Sequence, residues 1–279
     1  MTDFVVAANL EKSKSMNEHS KLRDNDSHLQ GTLAGKLAVV TGGSSGIGAA
    51  CVRQLAVQGA QVVIGYNSGA QRAEEIRRTL PGSGHRCMQI PLVATDEGYP
   101  LDVLVKELGA QAGKVDILIN SAGYTRRIPH RDLDSLDPSL FNEILLANAG
   151  GTFAITRALI PLLEESGDAV VVNISSVSAF TGAGSNIAYC ASKAAVDVMT
   201  KSFARAFGKG IRFLCVSPAS VDTDFVGGRN RDELEDKAAK TPLGRIVTPD
   251  DVATAALACI SHLRTATGTH IVIDGGFTL

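Results

Sequence analysis

The chain has 279 residues, 44% hydrophobic and 20% charged, a balance that suits a globular protein with a large core and excludes collagen-like, disulfide-framework and disordered classes. Its 27 Lys and Arg residues face 29 Asp and Glu, a net charge of −2, which gives no reason to expect a nucleic-acid partner. The five cysteines, Cys51, Cys87, Cys190, Cys215 and Cys259, form no CxxC pair, so they read as buried small apolar side chains in a reducing compartment, the cytoplasm.

Residues 1–34 are polar, charged of both signs and without clear periodicity, and read as a flexible N-terminal extension. Phe4–Leu10 lacks a basic leader and a cleavage pattern, and no apolar run reaches membrane-spanning length, so no membrane partner is expected. From residue 35 the pattern alternates. Leu37–Thr41 predicts a first strand, followed by a glycine-rich turn and a helix to about Gln58. Gln61–Tyr66 predicts the second strand, 69–80 a polar helix, and Arg86–Pro91 a third strand. A helix near 97–112 precedes Val115–Asn120, and a helix over 137–163 precedes Ala169–Ser175. A helix over 188–208 then leads to Ile211–Ser217, and a helix over 250–262 to His270–Asp274. The stretch 218–242 reads as irregular, with Gly227 and Gly228 as the hinge of a lid.

Runs such as Ala169–Ile174 are apolar throughout rather than alternating, as strands covered on both faces are. Strands separated by helices imply right-handed crossovers. The prediction is an α/β fold: a doubly wound, seven-stranded parallel sheet with helices on both faces, one domain over 35–279, and a ligand crevice beyond the carboxyl ends of the strands.

Thr41-Gly42-Gly43-Ser44-Ser45-Gly46-Ile47-Gly48 joins the first strand to the first helix. Glycines here permit a sharp turn, close approach of backbone to a pyrophosphate, and tight packing of helix on sheet. The helix amino terminus then offers free N–H groups to the phosphates. Further on, Tyr189 and Lys193 stand four apart in a helical segment, so phenol and ammonium share a face. Ser176 ends the fifth strand, with Ser175 and Ser178 as competing hydroxyls. These types suit carbonyl reduction: a phenol supplies the proton that an alkoxide needs, an ammonium favours the phenolate, and a hydroxyl stabilises developing charge on oxygen. His19, His28, His85, His130, His262 and His270 are scattered without metal-ligand spacing, so no metal is assigned.

Together these residues resemble the short-chain dehydrogenase/reductase family, its single-domain branch, over roughly Gly35 to Leu279. The resemblance implies a Rossmann-like fold and an oxidoreductase acting on CH–OH and C=O groups, with 3-oxoacyl thioester reduction as one specific form. Asn120-Ser121-Ala122-Gly123 is similar to the family's Asn-Asn-Ala-Gly motif, with Ser121 in place of the second asparagine. Asn148, Ser176, Tyr189 and Lys193 match its catalytic tetrad. By that match Tyr189 is the acid/base, Lys193 lowers its pKa and binds the nicotinamide ribose, Ser176 polarises the substrate oxygen, and Asn148 helps hold a water-linked proton path. Pro218, Ala219, Val221 and Thr223 resemble the segment that cradles nicotinamide, with Ala219 in place of a glycine. Leu92 stands where the family often has an aspartate at the adenine, and Val93 can pack on the ring edge.

Thr41, Gly42, Ser44, Ser45, Gly46, Ile47 and Gly48 are thus expected at the cofactor, with Tyr66, Asn67 and Ser68 at the end of the second strand. That end has no carboxylate to repel a 2′-phosphate, and Asn67, Ser68 and Arg72 can bond one, which favours NADP(H) over NAD(H), although Ser45 stands where many NADP-using relatives carry a basic residue. The substrate mouth is expected at Ser176, Tyr124, Ala179, Phe180, Phe225 and Val226, mainly apolar, which suits a hydrophobic ketone or secondary alcohol. Arg126 and Arg127 read as a solvated pair, with an acidic substrate group as the alternative. A homo-oligomer, tetramer or dimer, is the family norm. Two other readings stay open: a catalytically silent cofactor sensor, and an epimerase or dehydratase on the same fold.

Overall fold

The computed structural model describes residues 32–91 and 101–279. The expected extension lies outside the described residues up to residue 31, and so do Leu92 and Val93. Seven parallel strands form one sheet in the order β3-β2-β1-β4-β5-β6-β7. They are β1 (Leu37–Thr41), β2 (Gln61–Tyr66), β3 (Arg86–Gln89), β4 (Ile117–Asn120), β5 (Ala169–Ile174), β6 (Ile211–Pro218) and β7 (Thr269–Ile273). The order reverses between β1 and β4, the switch point where doubly wound sheets open a crevice. The expected fold class is the one observed.

Alternate residues of the central strands feed two different cores. Ala38 and Val40 of β1, with Val170, Val172 and Ile174 of β5, pack against α1 (Gly46–Val57), α2 (Ala70–Thr79) and a carboxyl-terminal helix, Pro249–Ser261. Leu37 and Val39, with Val171, pack on the other face against α3 (Leu101–Ala112) and the helix Gly151–Glu164. Apolar side chains on both faces leave a strand no solvated side, which is why these runs do not alternate in sequence.

The predicted helix over 137–163 is three pieces: α4 (Pro138–Leu145), a π-helical segment Leu146–Gly150, and α5 (Gly151–Glu164). This continuous run is long and apolar enough to cross a membrane by length and composition alone, contrary to the expectation that no run is. Ile155, Leu159 and Leu163 account for its apolarity, because they are buried against the sheet. α6 (Ser178–Thr181) is a single turn, and α7 (Ile187–Phe207) is the long helix after it. The stretch 218–242, read as irregular, contains α8 (Arg231–Ala238). Asn230 caps it by accepting from the Glu233 amide at 2.9 Å, and only Leu234 and Ala238 face inward. A helix this short and polar has too little apolar periodicity to show; its cap is the stronger signal. α9 (Pro249–Ser261) carries a reciprocal cap between Thr248 and Asp251.

Candidate active site

One cleft of about 1700 Å³ lies at the carboxyl edge of the sheet, and the β1–α1 turn, the loop after β4, the end of β5, the start of α7 and the loop after β6 all line it. Register explains the convergence: Thr41 is opposite Asn120, Asn120 opposite Asn173, and Asn173 opposite Cys215, so β1 and β4 end together while β5 and β6 run on past them toward the cleft. The polar members of that row bond one another. Asn120 Nδ2 donates to Asn173 Oδ1 at 2.8 Å and Thr156 Oγ1 at 3.0 Å, and Asn173 Nδ2 donates to Thr200 Oγ1 at 2.8 Å.

The glycine turn shows why it needs glycine. Gly42 has φ +66°, and a Cβ there would stand 2.8 Å from the Ala122 Cα. A Cβ on Gly48 would stand 2.3 Å from the Gly42 carbonyl oxygen, so this glycine sets how closely α1 meets its own turn. Ser45, the N-cap of α1, makes no side-chain cap bond, so the first amides of the helix have no side-chain acceptor there. Ser44, Ser45, Gly46 and Ile47 line the cleft beside Asn67, Ser68 and Arg72. A backbone cradle of this kind, with no carboxylate among those residues, fits the pyrophosphate half of a dinucleotide.

Tyr189 is placed by the cap of α7. Asn186 Oδ1 accepts from the Tyr189 amide at 2.7 Å, while Asn186 Nδ2 donates to the Arg126 carbonyl at 2.7 Å. One turn on, buried Lys193 donates to the Ile174 carbonyl at 2.8 Å and lies 5.8 Å from the centre of the Tyr189 ring. Ser176, also buried, donates to Ser178 Oγ at 3.1 Å and accepts from the Ser178 amide at 3.1 Å. Burial pushes the Tyr189 phenol up to about 12, opposed by a bond from Ser176 and by the Arg229 charge. Burial brings the Lys193 ammonium down to about 8. The phenol therefore moves opposite to the sequence expectation, because the cost of burying a phenolate exceeds the help it receives.

Asn148 lies in the π-helical segment and is buried behind the cleft. Its Oδ1 accepts from the Tyr124 amide at 2.7 Å, and its Nδ2 donates to the Tyr124 carbonyl at 2.9 Å and Ser192 Oγ at 3.0 Å. Ser192 in turn donates to the Tyr189 carbonyl at 2.8 Å, so Asn148 links the loop after β4 to the turn that carries the tyrosine.

The cleft gathers most of the residues expected from sequence. Ser121, Ala122, Gly123, Tyr124, Pro218, Ala219, Val221, Thr223, Phe225 and Val226 line it. Besides Asn148, six do not, and the structure gives them other work. Thr41 Oγ1 accepts from the Ser121 and Ala122 amides at 3.1 and 3.2 Å, Asn120 holds Asn173, Gly48 packs on the turn, and Tyr66 packs on the core. Ala179 lies in α6, and exposed Phe180 stacks on His270 with centroids 5.4 Å apart. Four residues at the cleft or its supports carry no motif that the sequence shows: Ser192, Asn186, Arg229 and Lys237. Asn186 follows a readable rule, an N-cap just before an apolar helix; the two cations come from α8 and the loop before it.

Arg126 donates to the Tyr124 hydroxyl at 2.5 Å, and Arg127 pairs with Glu233 at 3.1 Å. All five cysteines are free, and burial raises the thiol of Cys190 as it does the others. Among the described residues no cluster of His, Cys, Asp or Glu could hold a metal ion.

The family model described as enoyl-(acyl carrier protein) reductase matches residues 42–278. The chain is 33% identical to cis-4-hydroxycyclohexanecarboxylate dehydrogenase of Sinomonas cyclohexanicum, over 88% of this chain and 98% of that protein. It is 31% identical to the 3-oxoacyl-(acyl-carrier-protein) reductase of Chlamydia trachomatis, over 89% and 99%. The crystal structure of a short chain dehydrogenase from Burkholderia cenocepacia in complex with NADP superposes with a TM-score of 0.76 at 30% identity, over 88% of this chain and 99% of that one. The fold, the cleft and these likenesses lead to one conclusion: the chain belongs to the short-chain dehydrogenase/reductase family, a nicotinamide-dependent oxidoreductase of CH–OH and C=O groups.

Proposed function

We propose that the chain interconverts a ketone and a secondary alcohol through Tyr189 as acid/base, with NADP(H) as its preferred cofactor. The observation that carries this reading is the shared cleft: the phenol of Tyr189, the hydroxyl of Ser176 and the ammonium of Lys193 line the same cavity as the glycine turn. Bound nicotinamide supplies or accepts the hydride. In reduction the Tyr189 hydroxyl gives its proton to the carbonyl oxygen as that oxygen gains charge, and Ser176 donates a hydrogen bond to the same oxygen. Lys193, held by the Ile174 carbonyl, presents a positive charge beside the phenolate that Tyr189 becomes. Asn148 is a positioning residue here, fixing Tyr124 and Ser192 rather than touching the reacting atoms.

NADP(H) is preferred because Asn67, Ser68 and Arg72 line the cleft where a 2′-phosphate would bind, with no carboxylate beside them. Five free cysteines suit a reducing compartment, the cytoplasm. Exposed apolar side chains on α5 and α7, Phe153, Ile187 and Val198, support a homo-oligomer. Residues 35–279 act as one catalytic domain, with an extension before them.

The test is a panel of neutral and acidic ketones and secondary alcohols assayed at 340 nm with each cofactor. Turnover that vanishes in Tyr189→Phe supports the reading. Cofactor binding with no turnover on the panel, indifferent to Tyr189→Phe, would favour a silent sensor.

A further inference from the structure

Arg229 has no role in the mechanism above, yet it lines the same cleft as Tyr189 and Ser176. It is half-buried, and burial already lowers its pKa. A guanidinium has five N–H donors and stays charged in proteins. The only bond that the Arg229 side chain makes among the described residues is from Nη1 to the Val221 carbonyl, at a long 3.4 Å. No carboxylate among them pairs with it directly, although the Glu233 charge reaches it through space, and three acids on the cleft are bonded elsewhere. Glu233 pairs with Arg127 at 3.1 Å, Asp222 pairs with Arg231 at 2.5 Å, and Asp274 accepts from the Gly276 and Thr278 amides at 2.8 and 2.9 Å. A partly desolvated cation without an anion is costly, and a ligand anion that pairs with it recovers that cost on binding. Its charge also reaches the phenol of Tyr189, so an anion held there lies close to the reacting end of the cleft. Phe225, 5.9 Å from the Tyr189 ring centre, and Val226 give the space between an apolar wall.

We propose that Arg229 is the anion anchor of the substrate cleft and that the substrate is a keto or hydroxy acid whose carboxylate pairs with this guanidinium. A planar carboxylate matches the two parallel donors of the guanidinium fork. The assignment rests on the oxidoreductase reading above and narrows its substrate class.

The test is equilibrium binding of benzoate and of benzamide, nearly equal in shape and different in charge, to the NADP⁺-saturated full chain by calorimetry. Benzoate is expected to bind about tenfold more tightly than benzamide, and its affinity to fall with added salt while that of benzamide does not. Arg229→Met and Arg229→Gln should bring benzoate down to the level of benzamide, and Arg229→Lys should retain part of the difference. Equal affinities in the unmutated protein, a comparison that needs no variant to fold, would overturn the proposal. So would an Arg229→Met protein that weakens both probes equally while its pH–rate profile shifts, since that marks Arg229 as a phenolate stabiliser. These outcomes stand apart from turnover: neutral ketones that react normally while benzoate shows no preference remove the anchor and leave the oxidoreductase.

Discussion

The Lys193 ammonium stands 5.8 Å from the centre of the Tyr189 ring and is fixed from behind by a 2.8 Å bond to the Ile174 carbonyl. The strand end thus aims the lysine, and the helix turn aims the phenol. Tyr189→Phe keeps the ring and removes only the hydroxyl that carries the proton, so kcat should fall about a thousandfold with cofactor affinity nearly unchanged. Lys193→Met should lower kcat and cofactor affinity together. Steady-state kinetics with a fluorescence titration of cofactor checks both, and a Tyr189→Phe enzyme that keeps its kcat would refute the role.

The pH dependence follows from two opposite displacements. The Tyr189 phenol, pushed up to about 12, stays protonated through the neutral range. Lys193, brought down to about 8, is charged below that value and neutral above it. Ketone reduction should therefore lose rate as pH rises through about 8, through discharge of the lysine, with no separate limb from the tyrosine in that range. A profile of kcat/KM against pH that stays flat into the ordinary lysine range would contradict this.

Cofactor choice has its own test at Arg72, on the cleft beside Asn67 and Ser68. Arg72→Ala removes a charge that only a 2′-phosphate would use, so KM for NADP(H) should rise about tenfold and KM for NAD(H) hardly move. Equal changes for both cofactors would count against the preference.

The sheet was legible because its central strands serve two cores. Val170 and Val171 enter opposite clusters, and a run apolar at every position has no other reading when helices separate the strands. The glycine turn and the Tyr189–Lys193 pair were legible because their spacing is local: a helix turn brings residues four apart to one side whatever the rest of the chain does. What escaped is what packing decides. Nothing local says that Asn120 turns sideways to Asn173 instead of into the cleft, or that Phe180 leaves it for His270. Arg229 was hidden for the same reason: a short polar segment leading into a capped helix reads as a solvated loop until the fold brings it to the cleft that holds the tyrosine.

Gly48 offers a test of the turn that leaves all polar groups in place. A Cβ there would sit 2.3 Å from the Gly42 oxygen and 2.7 Å from its carbonyl carbon, both backbone atoms with no flexible end to yield. Gly48→Ala should force α1 away from the turn, costing about 3 kcal/mol of stability and cofactor affinity together. Thermal melts with and without NADP⁺ would show a lower Tm and a smaller cofactor-induced rise. An alanine variant with an unchanged melt would mean that the helix can retreat at no cost.

Asp116 shows how the start of β4 is held, at the end of the sheet away from the cleft. Its carboxylate is 1% exposed and accepts from the Leu37 amide at 2.9 Å, Ser166 Oγ at 2.7 Å, Lys36 at 3.0 Å and Lys114 at 3.2 Å. Burial alone would raise its pKa, but these four donors outweigh it and hold the group below the usual aspartate range. A carboxyl with a depressed folded pKa adds stability above its unfolded value, about 3.9, and that stability is lost as pH falls through the folded value. Asp116→Ala should cost about 3 kcal/mol near neutrality, because the Leu37 amide loses its acceptor and two lysines lose their counter-charge. Asp116→Asn keeps an acceptor and should cost less. Denaturant melts at a series of pH values should show the gap between the unmutated protein and Asp116→Asn closing as the medium becomes acidic; a gap that stays constant would assign the loss to packing rather than to charge.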